Sequence, residues 1–191
     1  LISYIPRCIN ISIPSSLREG PRTTNTLVKK RYLIIYISIM VLGAQPSILW
    51  IWFYWNLVNG FSVNFFILFP FSFVFTVLIL IFFSAIISKL FLSIVNFIHP
   101  PKEGIFRRDV KDKDYCYWSL RAVIKKWPCW LARQFSIPFI EILLLRLYGV
   151  KIGKNCSLHE GWIDTEFIEI GENVKLGQGS LILSSLIVQD K

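Results

Sequence analysis

Charged residues are missing from one long stretch of the chain, and this stretch predicts two membrane-spanning helices. No Lys, Arg, Asp or Glu stands in residues 32–88. One apolar segment covers about residues 32–55, and a second runs from about residue 63 to the His-Pro-Pro sequence at 99–101, where proline ends a helix. Each segment is long enough to cross about 30 Å of hydrocarbon. We therefore expect residues 32–99 to form a transmembrane helical hairpin.

Basic residues flank both ends of this hairpin, whereas its turn carries no charge. The bias of Lys and Arg towards the cytoplasmic side predicts an integral membrane protein with both termini in the cytoplasm. Residues 1–31 are interpreted as a basic N-terminal tail, with six cations before the first span (Arg7, Arg18, Arg22, Lys29, Lys30 and Arg31). The alternative is a pair of core helices in a soluble protein. So long an uncharged stretch is hard to bury in a chain of 191 residues.

Residues 100–148 change in character and predict a charged linker followed by interfacial amphipathic helices. In the sequence YCYWSLRAVIKKWPCWLARQF, aromatic residues alternate with cations, as in helices that lie in the plane of a membrane surface. Proline at position 128 is expected to break the first of these helices. A second short helix is expected to end at Gly149. The cations that would face lipid head groups are Arg121, Lys125, Lys126 and Arg133.

The last segment, residues 149–191, repeats an aliphatic residue every six positions. Such a period is typical of a left-handed parallel β-helix, in which each aliphatic side chain packs on its equivalent in the next coil. The pattern predicts the first coils of such a β-helix, with Asp164 alone off the register and residues 164–167 bulging outward as a loop. Two ordinary amphipathic hairpins are the alternative. The aliphatic residues are Ile152, Leu158, Ile170, Leu176 and Ile182, and glycine follows three of them at 153, 171 and 177.

Composition narrows the classes of function. Hydrophobic residues make up 54% of the chain and the mean hydropathy is +0.54, which favours a membrane protein. The net charge of +9 flanks the apolar block, so anionic lipids are expected as partners and nucleic acid is not. The cysteines at 8, 116, 129 and 156 lack the spacing of a metal site and are interpreted as reduced thiols. Because the chain begins with Leu, we expect it to be a fragment.

Two sequence stretches carry a resemblance to known families. The tail resembles the hexapeptide-repeat acyltransferase superfamily. The larger unit resembles membrane-embedded hexapeptide-repeat proteins, including the C-terminal membrane region of poly-lysine-synthetase-type nonribosomal peptide synthetases. In that group an R-L-x-G-x-x-I-G-x-N stretch opens the β-helix, and it stands here as Arg146 to Asn155. The resemblance implies a trimer, an acetyl-coenzyme A or other acyl-coenzyme A donor, and further coils beyond those present here.

His159 is the candidate catalytic residue. In many members of the superfamily a corner histidine acts as the general base, which takes a proton from the acceptor. Glu160, Asp164 and Glu166 are close in sequence, and the alternative is an exposed corner histidine with solvated carboxylates nearby. The resulting hypothesis is a membrane-bound transferase that moves an acyl group to a lipid-proximal or envelope-precursor acceptor. A non-catalytic membrane scaffold and a synthetase-associated helper region are the alternatives.

Overall fold

The computed structural model describes residues 30–104, 109, 111–134, 138–158, 162–177 and 179–185. Within these residues four helices precede six two-residue strands. The helices are α1 (Tyr32–Leu57), α2 (Val63–Ile98), α3 (Lys113–Gln134) and α4 (Pro138–Tyr148). The strands are β1 (Lys151–Ile152), β2 (Ser157–Leu158), β3 (Trp162–Ile163), β4 (Glu169–Ile170), β5 (Lys175–Leu176) and β6 (Leu181–Ile182). Apart from residues 30 and 31, the predicted basic tail lies outside the described residues.

Helices α1 and α2 form a hairpin, and each is long and apolar enough to cross a membrane. Only 17% and 11% of their most hydrophobic windows are buried inside the protein, whereas the core helices of a soluble protein are mostly buried. The hairpin turn contains two residues with positive φ, Asn59 and Gly60. Helix α2 begins after Ser62, whose hydroxyl accepts a hydrogen bond from Phe65 N at 3.3 Å. It ends immediately before His99, as the prolines at 100 and 101 predict.

The two long helices approach each other most closely where Gly43 of α1 meets Ser84 of α2. A Cβ atom at Gly43 would lie 2.5 Å from Ser84 Oγ, so only glycine allows this contact. Ser84 is completely buried, and its hydroxyl also accepts a hydrogen bond from Trp127 Nε1 of α3 at 3.3 Å. Small residues that let helix backbones approach are typical of membrane helix pairs. The contact therefore brings α1, α2 and α3 together at one level.

Helix α3 continues through Pro128, and the predicted break there is wrong. Proline has no N–H, so it cannot bond the carbonyl of Ile124 four residues earlier. The hydroxyl of Ser88 on α2 donates to that carbonyl at 2.8 Å, in a fully buried position. A neighbouring helix thus supplies the missing hydrogen bond, and α3 stays helical to Gln134. Helix α4 ends at Tyr148, and Gly149, which follows with a positive φ of 110°, is the stop that the sequence predicts.

The six strands form three parallel pairs, β1 with β4, β2 with β5 and β3 with β6. Ile152 pairs with Ile170 and Leu158 with Leu176, in agreement with the 18-residue spacing of these aliphatic residues. Their side chains form a core with Leu145 of α4, which is almost fully buried. Helix α4 therefore covers one end of this strand stack. These short pairs are what the structure shows of the predicted β-helix.

The register break at Asp164 is resolved by a shift of one residue. Strands begin six residues apart at 151, 157, 169, 175 and 181, but β3 begins at 162 instead of 163. Ile163 consequently takes the inward place, where it is 6% exposed and pairs with Ile182. The turn between β3 and β4 has five residues, 164–168, whereas the turns that precede β2, β5 and β6 have four. Asp164 is thereby released from the core and becomes part of that turn.

Candidate functional site

A nearly buried charged cluster joins the strand stack to α3. Glu166 Oε1 accepts hydrogen bonds from Arg121 Nε and Lys125 Nζ, each at 3.0 Å. The side chains of Arg121, Lys125 and Glu166 are only 4%, 8% and 11% exposed. Arg121 Nη1 also donates to the carbonyl oxygen of His99, at the end of α2, at 3.2 Å. The carboxylate of Glu166 therefore connects the strands to α3, and Arg121 connects this cluster to the end of α2.

The lengthened turn between β3 and β4 delivers Glu166 to this cluster. Thr165 is buried, and Phe167 has a positive φ of 57° that reverses the chain towards β4. Asp164 fixes the start of the turn, since its carboxylate accepts bonds from Thr165 N at 2.8 Å and from Ser184 Oγ at 2.7 Å. The loop predicted at residues 164–167 is present as this turn, in which Phe167 is exposed while Thr165 is buried and Glu166 contacts α3. The register break is the sequence signal that could have located this turn.

Two of the four cations predicted to face lipid do not reach the surface. Arg121 and Lys125, four residues apart on one helix face, point at Glu166. Arg133 forms an ion pair with Glu141 of α4 at 3.2 Å. Lys126 is exposed. The i and i+4 spacing of Arg121 and Lys125 was compatible with a shared partner, but nothing in the sequence identified Glu166 as that partner.

A second polar group surrounds His99 at the start of the linker. His99 Nε2 lies 2.9 Å from Asp114 Oδ1, and its ring stacks on Tyr117 with centroids 4.5 Å apart. Lys102 Nζ lies 3.6 Å from the same carboxylate oxygen. These contacts fix the end of α2 against the first turns of α3. The prediction that His99 is a helix-end residue is confirmed, because it caps α2.

The predicted catalytic residue, His159, lies outside the described residues, as does Glu160. The two carboxylates expected near it, Asp164 and Glu166, have separate partners in the turn and on α3. Within the described part of the chain, no group of three or more His, Cys, Asp or Glu side chains lies close enough to hold a metal ion. Within the described residues, Asp164 and Glu166 thus contribute hydrogen bonds and ion pairs to the turn and to α3.

An open groove of about 580 Å³ lies where α4 meets the first strands. Arg146, Lys151 and Glu169 provide its charged lining, together with backbone at Gly153 and Gly171. Arg146 Nη2 donates to the carbonyl oxygens of Ile152 and Gly153, each at 3.0 Å. Arg146 therefore ties α4 to the first strand turn, which is the structural part played by the first residue of the R-L-x-G-x-x-I-G-x-N stretch.

Burial makes two further candidate groups poor nucleophiles. Burial raises the pKa of the Cys129 thiol to about 11, and Arg133 opposes this only in part. Burial likewise raises the pKa of the Tyr148 hydroxyl. Both groups stay protonated near neutral pH, and only a thiolate reacts as a nucleophile. Cys129 is a free cysteine, and its burial makes it a structural thiol.

Comparison of this chain with protein-family models, with curated proteins and with solved structures finds no match.

Proposed function

We propose that this chain is the membrane-embedded part of a hexapeptide-repeat transferase that moves an acyl group to an acceptor at the bilayer surface. In this proposal α1 and α2 span the membrane with both termini in the cytoplasm. The strand pairs are the first coils of a left-handed β-helix, which assembles as a trimer and takes its acyl group from acetyl-coenzyme A or another acyl-coenzyme A. The acyl chemistry, the donor and the trimer follow from the resemblance of the Arg146–Asn155 stretch and the repeat to that superfamily.

The observation that carries this proposal is the attachment of parallel strand pairs to an apolar helical hairpin. Leu145 of α4 contributes to the strand core, and Glu166 binds two cations of α3. These two attachments hold the strand turns at a fixed distance from the apolar hairpin. A transferase whose acceptor is confined to a bilayer needs such fixed placement, because misplacement of reacting groups by about 1 Å lowers rates by about 10²-fold.

The chemical part of the proposal is tested by transfer of a labelled acyl group. The full-length protein in lipid nanodiscs is incubated with radiolabelled acetyl-coenzyme A and a lipid extract, and labelled lipid is separated and counted. We expect His159→Ala to lower the rate by about 10²–10⁴-fold, the range for loss of a general base. His99→Gln is the matched histidine control and is expected to retain the rate. Equal rates in wild type and His159→Ala would remove His159 from the mechanism.

A non-catalytic membrane scaffold is the second candidate, and one observation favours it. Both carboxylates of the turn that follows β3 are already engaged, Asp164 by Ser184 and Glu166 by two cations. Such a turn serves attachment better than proton transfer. If the full-length protein transfers no label from acetyl-coenzyme A or a longer acyl-coenzyme A, the scaffold is favoured over the transferase.

The topology is tested separately from the chemistry. In a cysteine-free background, single cysteines replace Asn59 in the hairpin turn and Lys113 at the start of α3. An impermeant thiol reagent applied to intact cells should label position 59 and leave position 113 unlabelled. Labelling at 113 and not at 59 would invert the proposed orientation.

A further inference from the structure

The contacts of helix α3 fix its position along the length of the α1–α2 hairpin. At about 1.5 Å per helical residue, Gly43 lies about 21 Å from the turn end of α1, and Ser84 about 32 Å from the turn end of α2. These two residues touch, and Trp127 of α3 bonds to Ser84. The hydrocarbon layer of a bilayer is about 30 Å thick. If the uncharged turn lies at one membrane surface, Trp127 is therefore within about 9 Å of the opposite boundary of the hydrocarbon, whichever of the two helices the distance is measured along.

The charge pattern of α2 agrees with this level. Lys89, the first charged residue of the hairpin, follows Ser84 by five positions. Helix α2 has 36 residues and a length of about 54 Å, so about 24 Å of it extends beyond a layer of 30 Å. Helix α3 packs along this end of α2, with Ile124 held by Ser88 and Tyr117 stacked on His99. Its C-terminal half is consequently the part nearest the hydrocarbon.

An aromatic row connects the exposed surface of α3 with the apolar surface of α1. The ring of Trp127 packs edge-on against Tyr36 of α1 with centroids 6.5 Å apart, and it stacks on Trp130 at 5.4 Å. Trp130 is 50% exposed although it is a large apolar side chain. Lys126, one turn before Trp130 on the same face, is also exposed. Trp beside Lys is the combination favoured at the interface between hydrocarbon and head groups.

We propose that the C-terminal half of α3 lies in the head-group layer of the bilayer that α1 and α2 span, with Trp130 and Lys126 in contact with lipid. Trp130 reaches towards the acyl chains while the Lys126 ammonium pairs with lipid phosphates. Arg121 and Lys125, on the other face, hold the strand stack. One face of α3 thereby contacts lipid, and the opposite face holds the strands. This inference rests on the proposed insertion of the hairpin.

Spin labels provide the test. The full chain, with its native cysteines replaced by alanine, receives a single nitroxide-labelled cysteine at Trp130 or Lys126 and is reconstituted in vesicles that contain anionic phospholipid. Ile51, exposed on α1 about 9 Å from its turn end, and Lys175, exposed on β5, are the membrane and water controls. Oxygen concentrates in hydrocarbon, whereas a water-soluble nickel chelate is excluded from it, so the ratio of their collision rates reports depth. A surface helix inserts its apolar face by about 5–10 Å.

The expected result is a ratio at position 130 between those at 51 and 175, with position 126 closer to the water control. Nickel access at 130 equal to that at 175 would overturn the inference, and so would poor access of both reagents at 130, since that indicates a protein contact. Nickel access at Ile51 would instead overturn the insertion of the hairpin. Failure of the inference and failure of the proposed function are therefore told apart.

Discussion

Replacing Glu166 with glutamine removes the carboxylate that Arg121 and Lys125 share. Glutamine keeps the size of the side chain, but it leaves two nearly buried cations without a counter-charge. Loss of one partner from a buried ion pair typically costs about 3–5 kcal/mol. We expect this cost to weaken the attachment of the strands to α3, because Glu166 is on the strand side and both cations are on the helix.

Hydrogen exchange measures this effect locally. Parallel pairing is held by amides such as Gly153 N, which bonds to Ile170 O at 2.9 Å, and Ser157 N, which bonds to Val174 O at 2.9 Å. A loss of about 3 kcal/mol in opening free energy corresponds to exchange faster by about a hundredfold. The amides of α2 should keep their protection in the same sample, which distinguishes local release of the strands from general unfolding.

A matched control is available on the same strands. Glu169 forms an ion pair with Lys151, but both side chains are largely exposed. Such a pair contributes about 0–1 kcal/mol, so Glu169→Gln should leave exchange nearly unchanged. Lys125→Gln should cost less than Glu166→Gln, since it leaves one cation paired with one carboxylate. If Glu166→Gln and Glu169→Gln have the same small effect, the buried cluster does not hold the strands and the reasoning is refuted.

Three further predictions concern the helices. Ser88→Ala leaves the carbonyl of Ile124 without its donor, and it should lower stability in denaturant titrations by about 1–3 kcal/mol, whereas Ser93→Ala should not. Gly43→Ala places a methyl group against Ser84 and should cost about 1–3 kcal/mol; stability equal to wild type would show that the helices separate easily. Cys129 should react with a maleimide at pH 8 about a hundredfold more slowly in the folded protein than in the denatured chain, because its pKa of about 11 leaves little thiolate. Equal rates in the two states would contradict its burial.

The helical hairpin is predicted well because a single sequence feature, the long stretch without charged residues, determines it. A long run of hydrophobic residues without charge predicts apolar helices, and α1 and α2 lie where that run predicts them. The end of α2 before the prolines follows from the missing N–H and fixed φ of proline. The pairing of Ile152 with Ile170 follows from a strict repeat. Each of these predictions depends on residues that are close together in sequence or regularly spaced.

The rest depends on partners that are distant in sequence. Pro128 is a helix breaker until Ser88, forty residues earlier, supplies the missing donor. Helix α3 has cations and aromatic residues on both faces, so its pattern does not reveal which face is buried against the strands. The choice is made by Glu166, forty-one positions after Lys125. The place of Ile163 depends on pairing with Ile182 of β6, which the six-residue register alone does not reveal.

Helix α4 covers the first strands, so the two ends of the strand stack differ. Its covered end is closed by Leu145, whereas the half-buried Leu176 and Ile182 lie in the later strands. Strands β4, β5 and β6 therefore pair with β1, β2 and β3 on the side away from α4. Because α4 precedes the strands in the chain, it leaves the ribosome first, and domains generally fold in that order. Helix α4 thus provides a folded surface on which the first strands, β1 to β3, pack. Strands β4 to β6 then pair in the register that β1 to β3 set.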